Sequence, residues 1–269
     1  MVQGKSGETG VAVVPVRQWP AVRRIGVDDL IEAFGAGIRD FRAAPRYGLA
    51  IGAFCAAGGW FILLLLWQFN LPYLAYPMAM GFVLVAPFVV TGLYDVSRRL
   101  ERAETLSWSI MFQAIWDTRL RDLRWMALIS AFALVIWMDI AALLSFGFLG
   151  FRAVDAELLN DLLTTPSGLL FLLIGNVAGA MIAFFVFSIS VVSFPLLFDR
   201  DVDFVTGIVT SVKSVTANPW TMLLWCAAIT MLVAISIASA FVGLLVTLPV
   251  LGHASWHLYR RVVAPQEAG

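Results

Sequence analysis

The chain has 269 residues, 61% of them hydrophobic and only 13% charged, whereas about a quarter of an ordinary soluble domain is charged. With 20 Phe, 10 Trp and a mean hydropathy of +0.88, it carries more apolar surface than one aqueous core hides, so a soluble globular protein is excluded and lipid is part of its solvent. Eighteen basic residues balance eighteen acidic ones at a pI near 6.7, which excludes nucleic acid as an expected partner.

In chain order, residues 1–26 hold only a short apolar stretch broken by Pro15, too short for the core of a signal peptide. They are expected to be retained as a disordered cytoplasmic tail. Next, Leu30, Ile31, Phe34, Ile38 and Phe41 recur at helical spacing behind Asp28 and Asp29, either of which can cap the helix. This predicts an amphipathic helix in the membrane surface, with Phe34, Ile38 and Phe41 in lipid and Glu32 and Asp40 toward water. Four runs of membrane-spanning length follow, at about 47–69, 73–94, 125–148 and 169–194.

The last apolar run, Trp220 to Leu251, spans 32 residues. As one straight helix it would be roughly 48 Å long against a bilayer core of about 30 Å. Loop charge favours splitting it near Ser239 into helices at about 219–238 and 240–259. Six crossings then place 17 of the 18 basic residues, all but Arg152, on the cytoplasmic side with both termini. Five crossings would strand Arg260 and Arg261 on the other face. The six-helix membrane domain covers 27–263, with a short tail at 264–269.

Internal similarity supports the split. PFVVTGLYDVSRR (Pro87 to Arg99) and PVLGHASWHLYRR (Pro249 to Arg261) share the placement of the proline, of an aromatic (Tyr94, Trp256) and of the Arg pair. VDDLIEAFGAGIRDFRAAP and DVDFVTGIVTSVKSVTANP both begin with acids and end at a proline, Pro45 or Pro219. Thr105 to Leu123 reads as a fainter third copy. The expected fold is therefore all-α: three transmembrane hairpins, each preceded by an amphipathic cytoplasmic surface helix.

At GLYDVSRRLERAE, SFPLLFDRDVDFVTGIVTSVKSVTANPW and GLLVTLPVLGHASWHLYRRVV, the chain resembles a family of bacterial predicted integral membrane proteins, domain of unknown function family 2189. The likeness runs from about Val27 to Val263. It implies a multi-helix inner-membrane protein with no established activity and no catalytic residues to carry over. Some family members carry the label cytochrome c oxidase subunit I. The residues exclude that role here, because a haem-copper core needs histidines on several helices and this chain has two, both on one predicted helix.

Few residues offer chemistry. Asp139 is the one charged residue inside an apolar run, about 21 Å along its helix from Trp125. Asn176 on the next helix is its expected partner in an intramembrane polar pair, serving as structural glue or, in the rival reading, as a proton relay. His253 and His257 share a helix face and are weak candidates for metal ligands, since no Cys, Asp or Glu stands near them in sequence to complete a site. Gly48 with Gly52, and Gly175 with Gly179, are read as small faces for helix packing. Cys55 and Cys226 are read as packing residues. No cofactor and no catalytic residue is expected.

The reading that follows is a non-catalytic accessory or assembly factor of a membrane complex, a respiratory one if the family label is a guide. Its partners would be the lipid bilayer and either another membrane complex or further copies of itself. A small-solute or proton-coupled transporter using Asp139 is the alternative, and a metal-binding membrane protein a third.

Overall fold

The computed structural model describes residues 19–68, 89–116, 120–150 and 156–265. The expectations for the first 18 residues, for most of the predicted 73–94 helix, for Arg152 and Asp155, and for residues 266–269 lie outside these. Among the described residues every regular element is helical. They are α1 (Val27–Ala43), α2 (Pro45–Trp67), α3 (89–101), α4 (Trp108–Trp116), α5 (Leu120–Leu149), α6 (Ala156–Thr164), α7 (Pro166–Ser190), α8 (Ser193–Asp199), α9 (Phe204–Ala217), α10 (Pro219–Ala238) and α11 (Leu244–Val262).

Among the described residues four segments are long and apolar enough to cross a membrane: Pro45–Leu64, Asp122–Leu149, Pro166–Asp199 and Pro219–Ala238. α11 is not among them, because Pro249, two histidines and Arg260 and Arg261 dilute its apolar content. The run expected to split near Ser239 turns at 239–243, with Ala240 and Phe241 at φ of +54° and +66°. The turn is five residues rather than two, so α11 starts later than the sequence reading placed it.

Prolines punctuate these helices for a physical reason. Ala44 and Asn218, just before Pro45 and Pro219, have nearly the same backbone angles, φ −135° ψ 54° and φ −134° ψ 52°. The residue before a proline is pushed out of the helical region, so each surface helix ends there and the next helix starts with proline in its first turn. Pro195 has no N–H to offer Val191 four residues back, and the run expected at 169–194 breaks at 191–192 into α7 and α8. α6, in the loop after α5, was not anticipated.

The surface helix α1 is capped by Asp29, whose carboxylate accepts the Gly26 N–H at 2.8 Å. α9 is capped by Asp203, which accepts the Thr206 N–H at 2.7 Å. α1 lies along α11, where a Cβ on Gly37 would fall 2.7 Å from the backbone of Ala254 and Val250. Residues 19–26, expected to be tail, are instead held. Val22 pairs with Val263 in an antiparallel bridge, Asn218 donates to Arg23 O and accepts from Ile25 N–H, and Thr221 donates to Ile25 O. The extended backbone here finds its partners on the segment just after α11 and at the α9–α10 junction, which the N-terminal sequence alone does not display.

Candidate functional site at the polar helix ends

Three rings from three helices meet where α3, α8 and α11 end: Tyr94, Phe198 and Trp256. Their centroids are 6.1 Å (Tyr94–Phe198), 6.2 Å (Tyr94–Trp256) and 6.2 Å (Phe198–Trp256) apart, well within the range of favourable aromatic pairs. The similarity read between Pro87–Arg99 and Pro249–Arg261 pairs Tyr94 with Trp256, and the triangle adds Phe198 from α8. The surface helices follow suit. α1 packs on α11, α9 packs on α7 and α8, and Met111 of α4 joins Val96 of α3 in one apolar cluster.

In each case the residue after the aromatic is polar. Asp95 is buried and accepts from Arg98 at 2.6 Å and Arg99 at 2.8 Å, while the Arg98 guanidinium lies 4.7 Å from the Phe198 centroid. Asp199 accepts the Tyr259 hydroxyl at 2.7 Å and sits 3.8 Å from Arg260. His257 lies 2.7 Å from Asp40 Oδ2 through Nε2 and 3.4 Å from Glu101 Oε1 through Nδ1. Glu101 also accepts the Trp256 indole N–H at 3.1 Å. One turn away, His253 is fully buried and its Nδ1 meets Ser97 Oγ at 2.8 Å.

These contacts set the charges of the two acids that close on His257. Burial works against the Asp40 carboxylate, but hydrogen bonds from His257 and Ser97 and the neighbouring imidazoles outweigh it, so its pKa is lowered. Burial also opposes Glu101, and His257, Arg260 and Trp256 together lower it as well. The result is a polar latch joining α1, α3 and α11 around an aromatic plug. It holds helix ends together; its hydroxyl–imidazole pair, Ser97 with His253, is fully buried, and among the described residues no group of three or more His, Cys, Asp or Glu is arranged to hold a metal ion.

His253 and His257 do share a helix, but each is engaged with a different neighbour, Ser97 for one and Asp40 with Glu101 for the other. Asp40 is a correction. Expected to face water, it is half-buried because its flank of α1 turns toward α11 and His257 supplies a donor there.

Asp139 and Asn176 lie on α5 and α7, which pack together, yet both residues are exposed. Asn176 donates to Leu172 O of its own helix at 2.7 Å, and among the described residues no hydrogen bond joins it to Asp139. The expected polar pair is therefore not formed in the structure; an asparagine can satisfy its donor on the preceding helical turn. The two glycine pairs also differ. A Cβ on Gly52 would fall 2.7 Å from Leu245 Cα and 2.8 Å from Leu245 O, and one on Gly48 would fall 3.0 Å from Pro249. Leu245 O is the carbonyl that Pro249 cannot bond, so α2 approaches α11 at its proline. Gly179 instead faces the Trp137 ring at 3.0 Å, and Gly175 meets nothing within 4 Å.

Missed from sequence were Asp40, Ser97, Glu101, Asp95, Asp199 and Tyr259. One signal was present: Asp95 and His257 occupy matching positions in the two similar segments. Phe198-Asp199-Arg200 repeats the order aromatic, polar, but without a proline at the corresponding offset.

The apolar helices and the polar latch define a polytopic helical integral membrane protein. Within that class, residues 75–199, a little under half of the chain, match the model of the family described as predicted integral membrane protein (DUF2189). That is the family the sequence resembles. No curated protein and no solved structure matches the chain.

Proposed function

We propose that the protein is a non-catalytic accessory or assembly factor that uses its α5–α7 hairpin to dock on another integral membrane protein. One observation carries this reading. A carboxylate deep in a spanning segment, Asp139, stands on the exposed face of α5 beside exposed Leu143 and Phe146. In hydrocarbon such a group costs several kcal/mol unless it is paired or protonated. The matching partner is a transmembrane helix that brings a hydrogen-bond donor to that depth.

The packing of the hairpin supports this. None of the most apolar window of Pro166–Asp199 and 11% of that of Asp122–Leu149 is buried, against 33% for Pro45–Leu64. A transporter using Asp139 as its proton carrier would need that carboxyl on an internal route, which its exposure does not favour. The protein would sit in a bacterial inner membrane with both chain ends cytoplasmic. The Val22–Val263 bridge supports an even number of crossings between those residues, because it sets both on one side.

The test is photo-crosslinking in native membranes from Leu143 and Met181, two exposed positions of the hairpin. Adducts with one discrete membrane protein that vanish in an Asp139→Leu background are expected. Adducts with lipid alone would overturn the reading.

A further inference from the structure

A cavity of about 460 Å³ opens between α1, α10 and α11, lined by Phe34, Ile38 and Phe41 of α1, Leu232 of α10, and Val246 and Val250 of α11. Its size falls in the roughly 300–1,000 Å³ range of ligand pockets. Two polar side chains reach it, Thr247 and Arg42. Thr247 is already committed, accepting the Ser236 hydroxyl at 2.9 Å across the α10–α11 hairpin. Arg42 is exposed and, among the described residues, has neither an ion-pair nor a hydrogen-bond partner. Arg39, three residues earlier and so on a neighbouring strip of α1, is also exposed, and among the described residues it too lacks an acid.

The contrast along α1 is informative. Its other flank neutralises its charges internally, Asp29 and Glu32 with Arg261 and Asp40 with His257. Among the described residues the charges of α1 left without an ion-pair partner are Asp28 at its start and Arg39 and Arg42 near its end, and Arg42 lines the cavity. The occupant that fits has a long apolar body for the phenylalanine-lined groove and one anionic end for the guanidinium at its rim. A surface helix presents such a groove at the level of the lipid headgroups.

We propose that this groove binds an anionic glycerophospholipid, one acyl chain lying against Phe34, Ile38, Val246 and Val250 and the phosphate meeting Arg42 and Arg39. The site is independent of the α5–α7 face and stands whether or not that face docks a partner.

The experiment reconstitutes the full chain in nanodiscs of equimolar phosphatidylglycerol and phosphatidylcholine, extracts it in mild detergent, and counts retained lipid by native mass spectrometry. The expected result is about one phospholipid per chain, with phosphatidylglycerol enriched about fivefold for each arginine engaged. Arg42→Ala with Arg39→Ala should keep the lipid but lose the preference. Val246→Trp, at an exposed position of the groove, should abolish retention without changing the melting temperature. Equal retention of the two lipids by the wild type, or undiminished retention by Val246→Trp, would overturn the proposal. So would a disulfide-linked dimer formed through Val246→Cys in the nanodisc, because a second copy would then fill the groove.

Discussion

The α1–α2–α11 region and the α5–α7 hairpin use the same residue types to opposite ends. In the first, glycines let backbones touch, at Gly37 against Ala254 and at Gly52 against Leu245, and the polar groups are closed on one another, Asp40 and Glu101 on His257. In the second, a Cβ on Gly175 would meet nothing within 4 Å, although one on Gly179 would meet the Trp137 ring, Asn176 bonds its own helix, and Asp139 is exposed. Small and polar residues in a membrane helix therefore announce close contact without saying with whom. The first region has found its contacts within the chain, and we propose that the second finds them in another protein.

The largest effect that would break this comparison concerns charge in the latch. Asp95 is buried between Arg98 and Arg99, which are themselves partly exposed. Replacing both arginines by alanine leaves a buried carboxylate without a cation, and unfolding in detergent should show a loss of about 3–5 kcal/mol. Arg124→Ala, at an exposed position near the start of α5, should cost far less. Equal losses would mean that the latch is no tighter than the rest of the molecule.

Smaller is the effect of side chains added to glycine. Gly52→Leu must displace the Leu245 backbone and should cost about 1–3 kcal/mol, the usual range for overpacking. Gly175→Leu enters open space and should change stability by no more than about 0.5 kcal/mol. Thermal melts of the isolated protein compare the two directly, and a large cost at Gly175 would show that the hairpin face is packed within the chain.

The smallest effect is that of pH on the latch. Asp40 and Glu101 have lowered pKa values in the folded protein, so they bind fewer protons folded than unfolded. Their contribution to stability is fully present above the unfolded carboxylate values of about 4 and is lost as pH falls through the lower folded ones. Melting temperatures of the wild type should drop over that acid range. A protein with Asp40→Asn and Glu101→Gln should start lower and fall less steeply.

Much of the fold is legible in the sequence because lipid imposes length and polarity on each element. The 219–238 helix coincides with α10, and the proline-terminated surface helices α1 and α9 are where hydrophobic spacing and acidic caps place them. What periodicity cannot reveal is which distant side chains meet. Asp40 reads as the water-facing residue of an amphipathic helix until α11 brings His257 to it, and Glu101 reads as one more charge in a basic loop until it receives Trp256 and Arg260. For the same reason His253 and His257, singled out as neighbours on one helix, meet different direct partners, Ser97 for one and Asp40 with Glu101 for the other. Asp139 was visible from composition alone, since one charge in an apolar run needs no partner to be noticed.

Co-purification reads out whether another membrane protein completes the α5–α7 face through Asp139, as we propose. The wild type, Asp139→Asn and Asp139→Leu are each extracted in mild detergent and their companions quantified against this chain. Asparagine keeps a hydrogen-bonding group of the same size, so a companion in fixed stoichiometry is expected with the wild type and with Asp139→Asn. Loss of that companion is expected from Asp139→Leu, with the melting temperature of the isolated chain unchanged. A wild-type protein that emerges alone and monomeric, or a companion held equally by Asp139→Leu, would contradict the proposal.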